Sequence, residues 1–211
     1  MVANLGEFRS YLAEYLWKDD DTVLIANLPK LISMATSELN RRLNVSQREK
    51  EVALTVDANP LPLIGGTNDV TDFRQIRTLM YKGYPLNPGA REHITGNRGT
   101  LGPYYYLGND TIYFQIASSA LPLADPVQMH YRTTITNLVN DADTNFVLTD
   151  YLDLYTYTAL KNIAGWVRED ERVSNWAALS EKALETAIEE DLHKIEWGAT
   201  PTAPKIKAWN P

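Results

Sequence analysis

Five acids stand close together near the C-terminal end of this chain: Glu181, Glu185, Glu189, Glu190 and Asp191. The first three recur at every fourth position, so on a helix they share one face. Paired carboxylates can serve as acid and nucleophile in glycoside hydrolysis. That chemistry needs one carboxyl whose pKa is raised by burial, and no apolar pocket residue stands near these acids to desolvate one. Two other readings therefore stay open, a solvated helix face and a deliberately negative surface, and a small hydrolase built on Glu181–Asp191 is the weakest of the three.

The remaining candidates for chemistry are sparse. His93, His130 and His193 have neither a second His nor a pair of carboxylates at metal-ligand spacing, and His193 beside Asp191 and Glu196 reads as a solvated helix face. The chain has no nucleophile elbow, phosphate-binding lysine loop or dinucleotide fingerprint. GNRGTLG at 96–102 could cradle a phosphate with Arg98, but no helix start follows it, so it reads as a loop. With no Cys, neither a disulfide framework nor a thiolate metal site is possible. The expectation is a protein without cofactor or metal that is not an enzyme.

Composition narrows the class further. The 211 residues are 44% hydrophobic and 22% charged, which suits one or two globular domains with a sizeable core. The N-terminal MVANLGEFRSYLAEYLWKDDD holds Glu7 and Glu14 and no long apolar run, so it does not read as a signal peptide. No stretch approaches the roughly 18 apolar residues of a membrane span, so a soluble chain is expected. Net charge is −7, concentrated toward the C-terminal part, with no basic stripe. Sequence-independent binding of DNA by phosphate neutralisation is not expected from such a surface.

The elements that must position these residues fall into three textures. Leu5, Phe8, Leu12, Tyr15 and Leu16 recur at helical spacing over residues 2–17. Asp21 or Thr22 can cap a second helix over about 23–43, with Ile25, Leu28, Ile32, Ala35, Leu39 and Leu43 on one stripe. Pro29 sits inside it and predicts a kink or a start near Leu28. From residue 51 the pattern turns to alternation. A strand in EVALTV, a hairpin across Lys82–Gly83 with Gly83 at positive φ, a hairpin across Gly108–Asn109–Asp110 and a strand in VQMHYRTTI predict about five short strands over 51–135. Residues 87–103 read as a Gly- and Pro-rich loop.

Helical spacing returns near Asn145. Leu148, Leu152, Tyr155, Ala159, Ile163 and Trp166 predict a third helix capped by Thr149 or Asp150, with Tyr155 and Trp166 as core. After the EDER corner, Val173, Trp176, Ala177, Leu184, Ile188 and Ile195 predict a fourth, ended by Gly198. Tyr151, Tyr157 and Trp176 fall off the inner stripe or near the corner and are candidate inter-subunit contacts. The last stretch, with Pro201, Pro204 and Pro211, is expected to be extended. The fold class expected is α+β: a bundle of about four helices (1–48 and 146–197), an inserted small antiparallel β domain (51–135), and an extended C-terminal arm (198–211).

Several stretches together resemble the head-to-tail adaptor proteins of tailed bacteriophages. They are ISMATSELNRRLN on the second helix, DFRQIRTLMYKGYPL, PYYYLGNDTIYFQI, and the long run from QMHYRTTITNLV through the aromatic helix to DERVSNW. The likeness covers about residues 20–197 and rests on structural patterns, not on an active-site signature. It implies a virion part made in the host cytoplasm, a homo-oligomeric ring, usually twelve-membered, that sits beneath the portal protein and meets the next tail or neck protein. DNA would pass through its channel without specific binding. Glu181, Glu185 and Glu189 would then line an acidic lumen, which does not hold a sliding polyanion. Lys205, Ile206, Lys207 and Trp209 would form a partner-binding arm, with a frayed terminus as the alternative. The competing function is a tail-associated module that recognises a host surface or glycan through its β domain.

Overall fold

In the computed structural model, residues 2–18, 20–94, 101–117, 120–168 and 170–198 are described. Helix α1 (Leu5–Tyr15) starts at Asn4, whose side chain accepts the Glu7 N–H. Helix α2 (Thr22–Arg42) starts at Asp21, which accepts the Val23 and Leu24 N–H groups. Pro29 lies within α2, which already begins at Thr22, so the helix does not start near Leu28. The β region opens after a single turn of 3-10 helix, Ser46–Arg48, with β1 (Glu49–Leu54). There follow β2 (Leu61–Pro62), β3 (Phe73–Tyr81), β4 (Tyr84–Pro88), the one-turn α3 (Arg91–Ile94), β5 (Tyr104–Gly108), β6 (Thr111–Phe114) and β7 (Val127–Thr133). Helices α4 (Phe146–Asp150), α5 (Leu152–Val167) and α6 (Asp170–Gly198) complete the described chain.

The expected helical bundle with a small antiparallel insert is not what forms. Among the described residues there are five helices longer than one turn, and seven strands where about five were expected, in one curled mixed sheet ordered β1-β7-β3-β4-β5-β6-β2. The β4–β5 pair is parallel, with Asn87 opposite Tyr104 and Pro88 opposite Tyr105. Local alternation carries no sign of such a pair, because it joins strands separated by α3 and the segment after it. The two-residue β2 holds a proline and is too short to produce a periodic signal. Both expected hairpins are present. Lys82 and Gly83 have φ of 52° and 81°, and Asn109 and Asp110 have 48° and 55°. Two successive positive φ values are what a two-residue hairpin needs to match the twist of its strands.

The described chain divides into two compact units, one of residues up to Gln47 and from Ile135 onward, the other of Arg48–Thr134. In the helical unit, α5 packs along α6 and α2. Its core includes Phe8, Leu28, Ile32, Leu39, Leu154, Tyr155, Leu160 and Ile163. Each such side chain contributes about 1.5–3 kcal/mol by leaving water. In the β unit, the inward faces of the strands supply Leu54, Leu79, Ile112, Phe114, Val127 and Met129.

Two local expectations also change. The cap before the aromatic helix is Asn145, which accepts the Leu148 N–H, and neither Thr149 nor Asp150 fills that role. The backbone then breaks at Tyr151 before α5 begins. Trp166 is 42% exposed and does not belong to the core. It lies in the last turn of α5, just before Arg168 turns left-handed at φ 62°.

Candidate functional site

The row of acids separates into different environments. Glu181 accepts a two-pronged pair of hydrogen bonds from the Arg42 guanidinium. That bond holds its carboxyl below the usual carboxylate range and raises the Arg42 pKa in turn. Glu185 and Glu189 are exposed on the same α6 face. Asp191 is 4% exposed and accepts from the Ser46 backbone N–H at 2.7 Å and the Ser46 hydroxyl at 2.5 Å. It therefore fixes the chain between α2 and β1 to α6. No group of three or more metal-ligating side chains occurs among the described residues. His130 on β7 lies 3.7 Å from Glu51 on β1.

The aromatic residues of α5 serve different ends. Tyr155 is fully buried, packs against Phe8 with ring centroids 4.9 Å apart and the rings tilted by 36°, and meets Thr36 Oγ1 at 2.6 Å. Burial raises its hydroxyl pKa. Tyr151 is 4% exposed and lies within the helical core, edge-on to Phe146. Tyr157 and Trp176 are half-buried and stacked at 6.1 Å. Tyr15 meets the edge of Trp176 at 5.8 Å, and Tyr11 adjoins Tyr15 at 5.9 Å. The candidate contact residues Tyr157 and Trp176 thus form an aromatic ladder with α1 within the chain itself, while Tyr15, 41% exposed, carries that ladder to the surface.

Beside it runs a groove of about 510 Å³ between α2, α5 and α6. Leu31, Met34, Trp166 and Val173 give it apolar walls, Gly165 opens one side, and Lys30 and Lys161 stand at its rim. Met34 is 51% exposed. Charged side chains tie the same three helices together: Lys161 Nζ reaches both Glu38 oxygens at 2.6 Å, Arg42 lies 3.4 Å from Glu38, and Arg42 grips Glu181. Sequence spacing missed the pairs Glu38–Lys161 and Arg42–Glu181, because each joins helices more than a hundred positions apart; the Glu38–Arg42 pair, four residues apart on α2, was open to it. It also missed Trp17, which is 91% exposed at the end of α1. The only sequence signal there was a tryptophan placed directly before the acidic KDDD turn.

In the β unit, Arg48 is fully buried and donates from Nε and Nη2 to the Thr133 carbonyl. Burial, with Arg132, Arg74 and Arg77 nearby, pushes its pKa down to about 10. Gly102 donates its N–H to the carbonyl of Gln115, the residue just after β6, at 2.8 Å, fixing one end of the Gly-rich stretch; residues 95–100 lie outside the described residues. So does the expected partner-binding arm with Lys205, Ile206, Lys207 and Trp209.

A family model described as "SU10 adaptor protein" matches residues 3–204. No curated protein matches the chain.

Proposed function

The chain belongs to the SU10 adaptor protein family, a phage adaptor family, and from that membership we propose that it is a structural virion protein that forms a ring beneath the portal and joins capsid to tail. The match over nearly the whole chain is the observation that carries this reading. On it, copies of the chain associate around a channel through which DNA passes, the portal protein sits on one side and the next tail or neck protein on the other. Neither step needs catalysis. The ring is taken to be twelve-membered, with the chain made in the host cytoplasm and incorporated into the neck of the particle.

The acidic lumen is carried chiefly by Glu185 and Glu189, since Arg42 offsets the charge of Glu181. Two carboxylates per copy, repeated around a ring, keep phosphates from adhering to the wall. The arm 199–211, with Lys205, Ile206, Lys207 and Trp209, grips the portal. The helical parts, 1–48 and 146–197, build the ring, and the 51–135 region meets the partners outside it.

The test is a projection image of the purified chain mixed with its portal protein. Ring-shaped density stacked on one end of the portal is the expected result. A chain that does not associate with the portal, and that runs as a monomer or trimer while binding a host glycan, would replace this reading with that of a tail-associated recognition module.

A further inference from the structure

Two features of the helical unit have no use inside the subunit, and they are complementary. The first is Trp17. Helix α1 ends with the Trp17 N–H on the Glu14 carbonyl at 3.0 Å and the Lys18 N–H on the Ala13 carbonyl at 3.1 Å. This is the paired-bond helix terminus whose left-handed residue is usually glycine. Here that residue is a tryptophan at φ 57°, and it is 91% exposed. A large apolar side chain accepts backbone strain at this corner and gains no burial for it.

The second is Gly165. Glycine inside a helix is less stable than alanine there. A Cβ built on Gly165 meets no atom within 4 Å, so nothing in the subunit requires its absence. What the missing side chain does is leave open the groove walled by Leu31, Met34, Trp166 and Val173.

We propose that Trp17 of one copy inserts into the Gly165 groove of the next, and that this contact builds the ring in the preceding section, on which the inference rests. The volume of about 510 Å³ admits an indole with neighbouring atoms. Met34 supplies a thioether to the ring, a favourable sulfur–aromatic pairing. The charges match: exposed Glu14 and Asp20 flank the tryptophan, and exposed Lys30 lines the groove, while Lys161 is already held by Glu38. The two patches differ, so the contact is head-to-tail, the kind that closes into a ring when the rotation allows it. An indole covers roughly 150–250 Å², less than the roughly 1,000 Å² of a specific interface. Trp17 is therefore its anchor, and Tyr15 extends the contact.

The test uses two variants of the full chain. Trp17→Gly keeps the groove and loses the anchor; Gly165→Leu keeps the anchor and fills the groove. Both relieve an unfavourable local choice, so each should fold with a melting temperature equal to the parent or roughly 2 °C higher. In native mass spectrometry at rising concentration, the parent should pass beyond its 23.8 kDa monomer, and each variant alone should stay there. An equimolar mixture should form pairs and stop, because only one of the two possible contacts remains. Variants that assemble like the parent would overturn this contact and leave the ring standing. Variants that still self-associate but lose portal binding would assign the groove to the portal and overturn it too. A parent chain that stays monomeric would overturn a direct contact between copies, while the portal image decides the ring separately.

Discussion

Tyr155→Phe removes one oxygen from the centre of the helical core, and the consequence can be worked from the bonds around it. The hydroxyl is fully buried and lies 2.6 Å from Thr36 Oγ1, which itself donates to the Ile32 carbonyl at 3.1 Å. The hydrogen between the two hydroxyls therefore comes from tyrosine. Its removal leaves Thr36 still bonded and opens no cavity of note, so the loss is that of one net hydrogen bond, about 1 kcal/mol. Thr36→Val does the reverse and strands the tyrosine hydroxyl. Asn145 gives that hydroxyl a second polar neighbour, which keeps the effect near the lower end of the 1–3 kcal/mol expected for an orphaned buried group. The double variant has neither group to satisfy and should fall short of the sum by about 0.5 kcal/mol or more. Tyr155→Ala, which also empties the space against Phe8, should cost about 3–5 kcal/mol. Urea unfolding of the helical unit, followed by its helical signal, measures all four, and the single Phe variant should lower the melting temperature by roughly 2–4 °C. Additive single effects would refute the bond between α2 and α5. So would a Phe variant that keeps full stability but loses assembly, since that would give Tyr155 a role at the surface.

Other expectations concern charge and the terminal segment. Reversing Glu185 and Glu189 to Lys should change stability by no more than about 0.5 kcal/mol yet slow genome exit from particles; unchanged exit kinetics would remove the acidic lumen. Burial opposes ionisation of Asp72, but bonds from Lys50 at 2.6 Å and the Tyr131 hydroxyl at 2.9 Å outweigh it, and its carboxyl titrates below the ordinary range. A depressed carboxylate stabilises the fold above its unfolded pKa of about 4 and loses that contribution as pH falls further. Asp72→Asn should therefore flatten the acid side of the β unit's stability profile, and an unchanged acid slope would contradict the assignment. Tyr131, pushed up to about 12 by burial and by Asp72, contributes in full below its unfolded pKa of about 10 and loses that contribution as pH rises from there through the folded value, which absorbance at 295 nm can follow. Deleting 199–211 should leave the melting temperature unchanged and abolish attachment to the portal; a truncated chain that still attaches would rule the arm out.

Sequence alone determined what short-range chemistry dictates. Asp21 or Thr22 before a periodic apolar run marks the start of α2, because a side-chain oxygen there satisfies the first free N–H groups wherever that run packs, and Asp21 is the one that does so. Gly83, Asn109 and Asp110 turn their hairpins, because these residue types accept positive φ at little cost, and Lys82 takes φ 52° beside Gly83. The family likeness followed from the order of such pieces. Tertiary structure alone decided what depends on residues far apart in the chain. It inserted β7 between β1 and β3 and paired β4 with β5 in parallel, and neither choice leaves a local pattern to read. It turned a uniform row of acids into an Arg42 partner, three exposed carboxylates and a buried acceptor for Ser46, because burial and pairing depend on which helix passes nearby. Trp166 and Trp17 make the same point from the apolar side. One sat on a core stripe and the other beyond the end of one, yet both are exposed. Periodicity gives the direction in which a side chain points; only the packed neighbours decide whether anything is there to meet it.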